Sequence, residues 1–183
     1  MAQDSWTLVL IDSTLRVRMP YGPEKNMVDS VGIIELTTGV SDAKYVALAL
    51  DVTRMPGYQP GQTLSPAILK SKVYRKMLTQ WSKRYGWGKN APKLLSEATS
   101  ATKMFRDQVT GLPYELAVFQ GFDKHVGSST MTVVLGVCMP VTMYTFACTV
   151  YLPVENSPLR DCRRYFGSIH FAPRHTTPIL KRI

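Results

Sequence analysis

The sequence contains none of the short motifs that mark common catalytic, nucleotide-binding or metal-binding sites. It has no phosphate-binding G-x-x-x-x-G-K, no dinucleotide-binding G-x-G-x-x-G, no G-x-S-x-G and no H-E-x-x-H. Its acidic residues are few and scattered, so no carboxylate pair for glycoside or metal chemistry is indicated. We therefore expect no catalytic residues, no metal site and no cofactor, and we interpret the protein as non-enzymatic.

Cysteine is scarce and lacks metal-site spacing. The three cysteines, Cys138, Cys148 and Cys162, form no C-x-x-C pair and stand at no zinc-type spacing from a histidine. An odd number leaves at least one free thiol, and we expect small buried core residues. An unrecognised enzyme remains an alternative, in which the fold would bring Cys162 and His170 together as an activated nucleophile.

Long apolar runs are absent as well. No stretch approaches the ~18 consecutive apolar residues of a membrane span. Hydrophobic residues make up 45% and charged residues 19% of the 183 residues, a globular composition that fits one domain. We predict a single domain over 1–183, with an N-terminal segment (1–12) and a C-terminal tail (172–183) at its periphery.

Carboxylates are missing from one quarter of the chain. Between Asp51 and Glu97 there are nine Lys or Arg residues and no acid, while the rest of the chain is neutral, so the net charge of +9 arises here. Such a local field attracts an anionic partner. It is too local for a general nucleic-acid binder, so we expect a protein partner or another anionic surface and do not expect nucleic acid.

Within this quarter the pattern predicts one long helix. Ser65 and Pro66 supply an N-cap and a first helical position, and Gly86 suits the C-terminal end of a helix that runs to Tyr85. At 100° per residue, one stripe is apolar and the other side is basic. The apolar stripe consists of Leu69, Val73, Met77, Trp81 and Tyr85, and the basic face of Lys72, Arg75, Lys76 and Lys83.

We predict that the basic face binds the partner, with an ordinary solvated helix face as the alternative. Trp87, between two glycines, is the candidate exposed aromatic contact. Three arginines of a second helix, Arg160, Arg163 and Arg164, would extend the basic face if both helices share one side of the sheet.

Period-two alternation predicts strands before and after the long helix. A loop is expected at 53–67, where Pro-Gly occurs twice, and Ser157-Pro158 predicts a short helix whose buried side carries Leu159, Cys162 and Phe166. The run 94–109 is ambiguous. The predicted strands are 15–19, 31–36, 44–52, 114–121, 130–139, 142–152 and 168–171. Mostly sequential antiparallel strands with two helices predict an α+β fold on a mainly antiparallel sheet.

The order of several weak motifs resembles the PsbP-like superfamily. Trp6 is followed by Leu15-Arg16-Val17-Arg18-Met19-Pro20 and Pro23, where the family has "F-x-V-x-F-P-x-x-P". Gly111-Leu112-Pro113-Tyr114-Glu115 resembles the family's mid-chain strand, and Tyr165 through Phe171 resembles its ending. Leu15 and Met19 depart from the usual phenylalanines, and the 53–67 loop is long.

This resemblance implies an α/β/α sandwich that serves as a binding or assembly module without a shared catalytic site. The run Ala2-Gln3-Asp4 is similar to the residues that follow a signal-peptide cleavage site, with Met1 added, so we expect a secreted or periplasmic protein. A native cytoplasmic start is the alternative. It corresponds to a second function, a cytosolic chaperone of type VI secretion effectors of the DcrB-like kind.

Overall fold

The structure, a computed structural model, describes residues 6–20, 22–28, 33–40, 43–55, 57–88, 93–94, 112–152 and 156–171. The helices are α1 (Lys72–Tyr85) and α2 (Asn156–Gly167), and short 3-10 helices lie at Val52–Arg54 and Pro66–Lys70. This content confirms the α+β prediction. The strands are β1 (Trp6–Leu10), β2 (Leu15–Pro20), β3 (Glu24–Val28), β4 (Ile33–Val40), β5 (Ala43–Asp51), β6 (Lys93–Leu94), β7 (Tyr114–Asp123), β8 (Ser128–Cys138), β9 (Thr142–Tyr151) and β10 (His170–Phe171).

The strands form two antiparallel sheets rather than the one that the sequence suggested. The larger sheet has seven strands in the order β3-β4-β5-β9-β8-β7-β6, and the smaller has three in the order β1-β2-β10. Every pairing between described strands is antiparallel. The mainly antiparallel character is therefore confirmed.

Strand β5 lies near the middle of the larger sheet and divides the core in two. Val46, Leu48 and Leu50 belong to one buried cluster together with residues of α1. Tyr45 and its alternating neighbours Ala47 and Ala49 belong to the other cluster, with residues of β2 and α2. The predicted alternation of this strand is confirmed, since successive side chains point to opposite faces. Consequently α1 covers one face, while the small sheet and α2 cover the other.

The hairpin β8–β9 turns around Pro140 as predicted. Its register pairs Cys138 with Met143 and Cys148 with Val133, so the two cysteines are several positions apart. Cys138 is a free, buried thiol whose pKa is raised by its burial. Cys138 and Cys148 are therefore not bonded to each other.

The other two cysteines form a disulfide bond. Cys148 of β9 and Cys162 of α2 are linked, with their Cα atoms 6.0 Å apart. The sequence analysis did not anticipate this bond, which forms because α2 packs across β9 and brings the two side chains together. The bond fastens α2 to the central strands of the sheet.

The predicted long helix is broken at Ser71, and the buried side of α1 differs from the predicted stripe. Ser65 caps the 3-10 helix Pro66–Lys70, and Ser71 then caps α1 separately. α1 itself begins at Lys72, and within it Val73 lies about 80° around the helix axis from Trp81, since each residue advances by about 100°. Tyr74, Leu78, Trp81 and Ser82 are buried on α1, whereas Val73, placed on the predicted apolar stripe, is 62% exposed. The predicted stripe was wrong for Val73.

Two strands near the N-terminus were not predicted. β1 pairs along its length with β2, so residues 6–10 form an edge strand of the small sheet. β3 follows Pro23 directly and pairs with β4. Most of the ambiguous run 94–109 and the whole C-terminal tail 172–183 lie outside the described residues.

Candidate partner-binding surface

Helix α1 is fixed at both ends by its own sequence. The Ser71 side chain accepts a hydrogen bond from the Tyr74 backbone N–H at 3.2 Å, which satisfies one free donor of the first turn. Gly86 adopts the left-handed conformation at φ 69° and ends the helix, while the Trp87 N–H returns to the Ser82 carbonyl at 2.9 Å. The helix ends at the predicted glycine.

The inner side of α1 fits closely onto β8. Tyr74 and Leu78 are 1% and 0% exposed, and Trp81 is 8% exposed. A side chain at Gly136 would clash with Tyr74, because its Cβ would lie 2.8 Å from the tyrosine Cζ. The missing side chain of Gly136 thus leaves the notch in which the Tyr74 ring lies. Burial also raises the pKa of the Tyr74 hydroxyl well above its usual range.

The outer side of α1 carries the basic face. Lys72, Arg75, Lys76 and Lys83 are all exposed. α1 contains no acidic residue. Within the part of the chain that the structure describes, none of the four cations forms an ion pair. The structure therefore places these four predicted site residues together, exposed to solvent on the side opposite the sheet.

Arg84 differs from the other bases of α1. Its guanidinium lies 2.8 Å from the carboxylate of Glu35, which is itself only 5% exposed. The charge of Glu35 raises the pKa of Arg84 further. One cation of the acid-free quarter is therefore used to compensate a buried carboxylate, since a buried charge is costly without a partner.

Trp87 is not the exposed contact that the sequence suggested. It is 1% exposed, and its ring stacks on Tyr85 and meets Phe119, with centroids 5.5 and 5.6 Å away. The flanking glycine at position 88 has a different purpose: at φ 153° it lets the chain approach the backbone of β7 so closely that a Cβ would clash with the Gln120 carbonyl. Trp87 is thus a core residue and leaves the candidate surface.

The arginines of α2 do not extend the basic face. Tyr165 and Phe166 of α2 are buried in the cluster on the other side of the larger sheet from α1. Arg164 lies over the ring of Trp6, 4.8 Å from its centroid, and is engaged there. The two helices do not share a side of the sheet, so the condition for a combined surface is not met.

The structure also contains two polar clusters that the sequence did not reveal. In one, the Tyr144 hydroxyl donates to Asp12 at 2.6 Å. In the other, Asp123 accepts from Lys44 at 3.0 Å and from Tyr151 at 2.9 Å, and the Lys44 ammonium holds the pKa of Asp123 well below its usual range. Both join distant parts of the chain, which is a structural role.

Metal and nucleophile chemistry find no support in the described residues. No group of three or more His, Cys, Asp or Glu side chains among them is placed to hold a metal ion. The Cys162 sulfur belongs to the disulfide, so it is not available to a neighbouring histidine as a nucleophile. No helix in the described ranges is long and apolar enough to cross a membrane.

Comparison with known proteins finds similarity only at the level of structure. No protein-family model and no curated protein matches the chain. A crystal structure from Bacteroides thetaiotaomicron aligns over 90% of the chain with 9% identity and a TM-score of 0.43. The chain spans 48% of the length of that protein. A protein of unknown function from Pseudomonas aeruginosa aligns over 93% of the chain and 99% of its own length, with 14% identity and a TM-score of 0.43. Nothing about function follows from these alignments.

Proposed function

We propose that this protein is a non-enzymatic binding or assembly module that recognises an acidic partner protein through the basic face of α1. The observation that carries the proposal is the exposed cluster of Lys72, Arg75, Lys76 and Lys83 on a helix without a carboxylate. A helix face that only keeps a protein soluble usually mixes charges of both signs. A face of one sign produces a local field that speeds and orients the encounter with an oppositely charged surface.

The aromatic residues around α1 favour a protein partner over nucleic acid. Single-stranded nucleic acid is held by aromatic rings on which bases stack. On α1 and the residues that follow it, Tyr74, Trp81 and Trp87 are buried, and the half-buried Tyr85 stacks on Trp87. This surface therefore offers positive charge without an open stacking platform.

The disulfide supports an exported, secreted or periplasmic location. Disulfide bonds persist in oxidising compartments and are rare in the cytosol. The Cys148–Cys162 bond links an outer helix to a central strand, which is the arrangement of a structural bond. This favours the exported binding module over the cytosolic chaperone of type VI secretion effectors.

We further propose that the protein belongs to the PsbP-like superfamily, as its ordered sequence motifs suggest. The α/β/α sandwich of that superfamily is part of this proposal. It is supported by α1 on one face of the larger sheet and α2, with the small sheet, on the other.

The test compares two variants that have the same net charge. In the first, Lys72, Arg75, Lys76 and Lys83 are changed to glutamine. In the matched control, four exposed arginines away from α1 (Arg16, Arg18, Arg160 and Arg163) are changed to glutamine. Each variant loses four charges from a protein of net charge +9. Partners are captured from an envelope extract of the source organism and their affinity is measured at several salt concentrations.

We expect the α1 variant to lose its affinity for the partner and the control variant to keep it. Binding by the unaltered protein should weaken as salt rises. Circular dichroism and thermal unfolding show that both variants are folded. Equal losses in the two variants would mean that net charge alone drives capture, and an unaffected α1 variant would leave the basic face as a solvated surface. Either result would refute the proposal.

A further inference from the structure

An apolar groove lies directly beside the basic face. It has a volume of about 330 Å³ and is bounded by α1, the 3-10 helix before it and residues from 52–55 and 57–64. Its walls are mostly apolar and include three methionines, Met55, Met77 and Met143, together with Val52, Leu64 and Val73, while Tyr58, Gln62 and Thr63 add polar groups. Methionine side chains are flexible and polarisable, so they adapt to apolar groups of different shape.

Two of the large apolar residues that line this groove are exposed. Val73 and Met55 are 62% and 41% exposed, although both are apolar. They line the same groove, whereas isolated exposed apolar residues are ordinary on protein surfaces. The sequence had assigned Val73 to the face packed on the sheet. In the structure Val73 lies outside the buried side of α1 and lines the groove instead.

The outer wall of the groove is held in place by the backbone. The Val52 N–H donates to the Val141 carbonyl at 3.0 Å and the Leu64 N–H to the Pro140 carbonyl at 2.6 Å, so both ends of the segment are pinned to the β8–β9 turn. Between them the Tyr58 N–H donates to the Met55 carbonyl at 3.2 Å. A groove that is already formed loses less conformational entropy when it binds a ligand.

The charge beside the groove is positive. Lys72 and Lys76 are exposed and flank Val73 on α1, with Lys76 one turn further along the helix. The nearest carboxylate in the sequence, Asp51, is engaged by the backbone N–H and hydroxyl of Thr53 at 3.0 and 2.7 Å. An occupant of the groove therefore meets apolar walls and cations on the α1 side.

We propose that the groove binds a large apolar side chain carried by an acidic linear segment of the partner protein. The apolar side chain enters between Val73 and Met55, and neighbouring carboxylates of the same segment lie against Lys72 and Lys76. This inference rests on the proposed function and adds the chemistry of the recognised segment. A second copy of this chain is a poor occupant, because two molecules of net charge +9 repel one another.

The experiment selects short random peptides, displayed on phage, for binding to the folded protein. We expect enriched peptides to combine aspartate or glutamate with a leucine, phenylalanine or methionine. For one enriched peptide, changing its apolar residue to alanine should weaken binding about tenfold or more, because burial of such a side chain supplies at least that much affinity.

Two protein variants separate the groove from the basic face. Val73→Ser combined with Met55→Ser removes the two exposed apolar side chains of the groove without changing the charge of the protein. The affinity for the enriched peptide should fall about tenfold, and binding should still weaken as salt rises. Leu8→Ser with Leu10→Ser is the matched control. It changes two leucines of β1 that are 53% and 55% exposed and lie away from α1, and binding should be unchanged.

The alternative outcomes overturn different statements. Enriched acidic peptides without an apolar requirement, or an unaffected Val73/Met55 variant, would overturn the groove and leave the basic face standing. Enriched apolar peptides with no acidic residues and no salt dependence would overturn the basic face as the recognition element. Absence of any enriched peptide would overturn the recognition of a linear segment.

Discussion

Reduction of the Cys148–Cys162 bond should destabilise the protein by an amount that follows from the length of the loop that the bond closes. The two cysteines are 14 residues apart. Closing a loop of about 15 residues removes conformational entropy from the unfolded chain worth about 3 kcal/mol. Reduction leaves both sulfur atoms in place, so the packing of Cys148, 1% exposed, changes little. The loss should therefore be close to the entropic value.

Urea unfolding with and without reductant measures this loss. With an unfolding slope of about 1–3 kcal/mol per molar urea, the midpoint should fall by about 1–3 M. Alkylation of the unfolded, unreduced protein should label only Cys138, and reduction should expose all three cysteines.

Two cysteine variants make the result specific. Cys138→Ala keeps the bonded pair, so its response to reductant should match that of the parent. Cys162→Ala cannot form the bond, so its midpoint should not depend on reductant. If the parent unfolds at the same urea concentration in both conditions, the loop-closure reasoning is refuted, and three labelled thiols without reduction would show that the bond is absent.

Two further predictions concern how α1 is attached to the sheet. Trp81→Ala should lower the free energy of unfolding by about 3–5 kcal/mol, as deletion of a large core aromatic does, and a loss below ~1 kcal/mol in chemical denaturation would contradict its burial at 8% exposure. Gly136→Ala should cost about 1–3 kcal/mol through overpacking, because its methyl group would clash with the buried Tyr74. Combining Gly136→Ala with Tyr74→Phe should recover part of that loss, and no recovery would place the strain elsewhere.

The parts of the fold that follow from local alternation could be predicted from sequence. The two faces of β5 and the β8–β9 hairpin appear in the structure as the period-two pattern indicates. These features depend on which side of a strand each residue occupies, and the order of residues fixes that directly. The second sheet was missed, because the pairing of β2 with β10 joins residues more than a hundred positions apart.

The errors at the candidate site have a common physical origin. Ser65 and Ser71 are both good N-cap residues. Nothing in the local sequence pattern shows that each of them caps a separate helix, Ser65 the 3-10 helix and Ser71 the helix α1. On α1, which begins at Lys72, the buried side is centred on Tyr74, Leu78 and Trp81, and Val73 lies outside it. Trp87 was placed outside because glycine is typical of exposed turns, whereas Gly88 allows a close backbone approach that buries the ring. Tertiary contacts decided each case.

The position of Lys72 separates a binding role from a structural one. Lys72 is the first residue of α1, where a positive charge opposes the helix dipole, and it lies one turn from the like charges of Arg75 and Lys76. Each such like-charge pair costs about 0.2–0.5 kcal/mol, and the dipole adds about 0.3–1 kcal/mol. Lys72→Gln should therefore raise the free energy of unfolding slightly and should weaken the binding of the acidic partner. Lys83→Gln is the matched comparison, because Lys83 lies in the last turn, where its charge is favourable, so that variant should lose both stability and binding. Urea unfolding and partner titration at matched salt measure the two effects, and a Lys72 variant that gains stability without losing affinity would remove this residue from the binding surface.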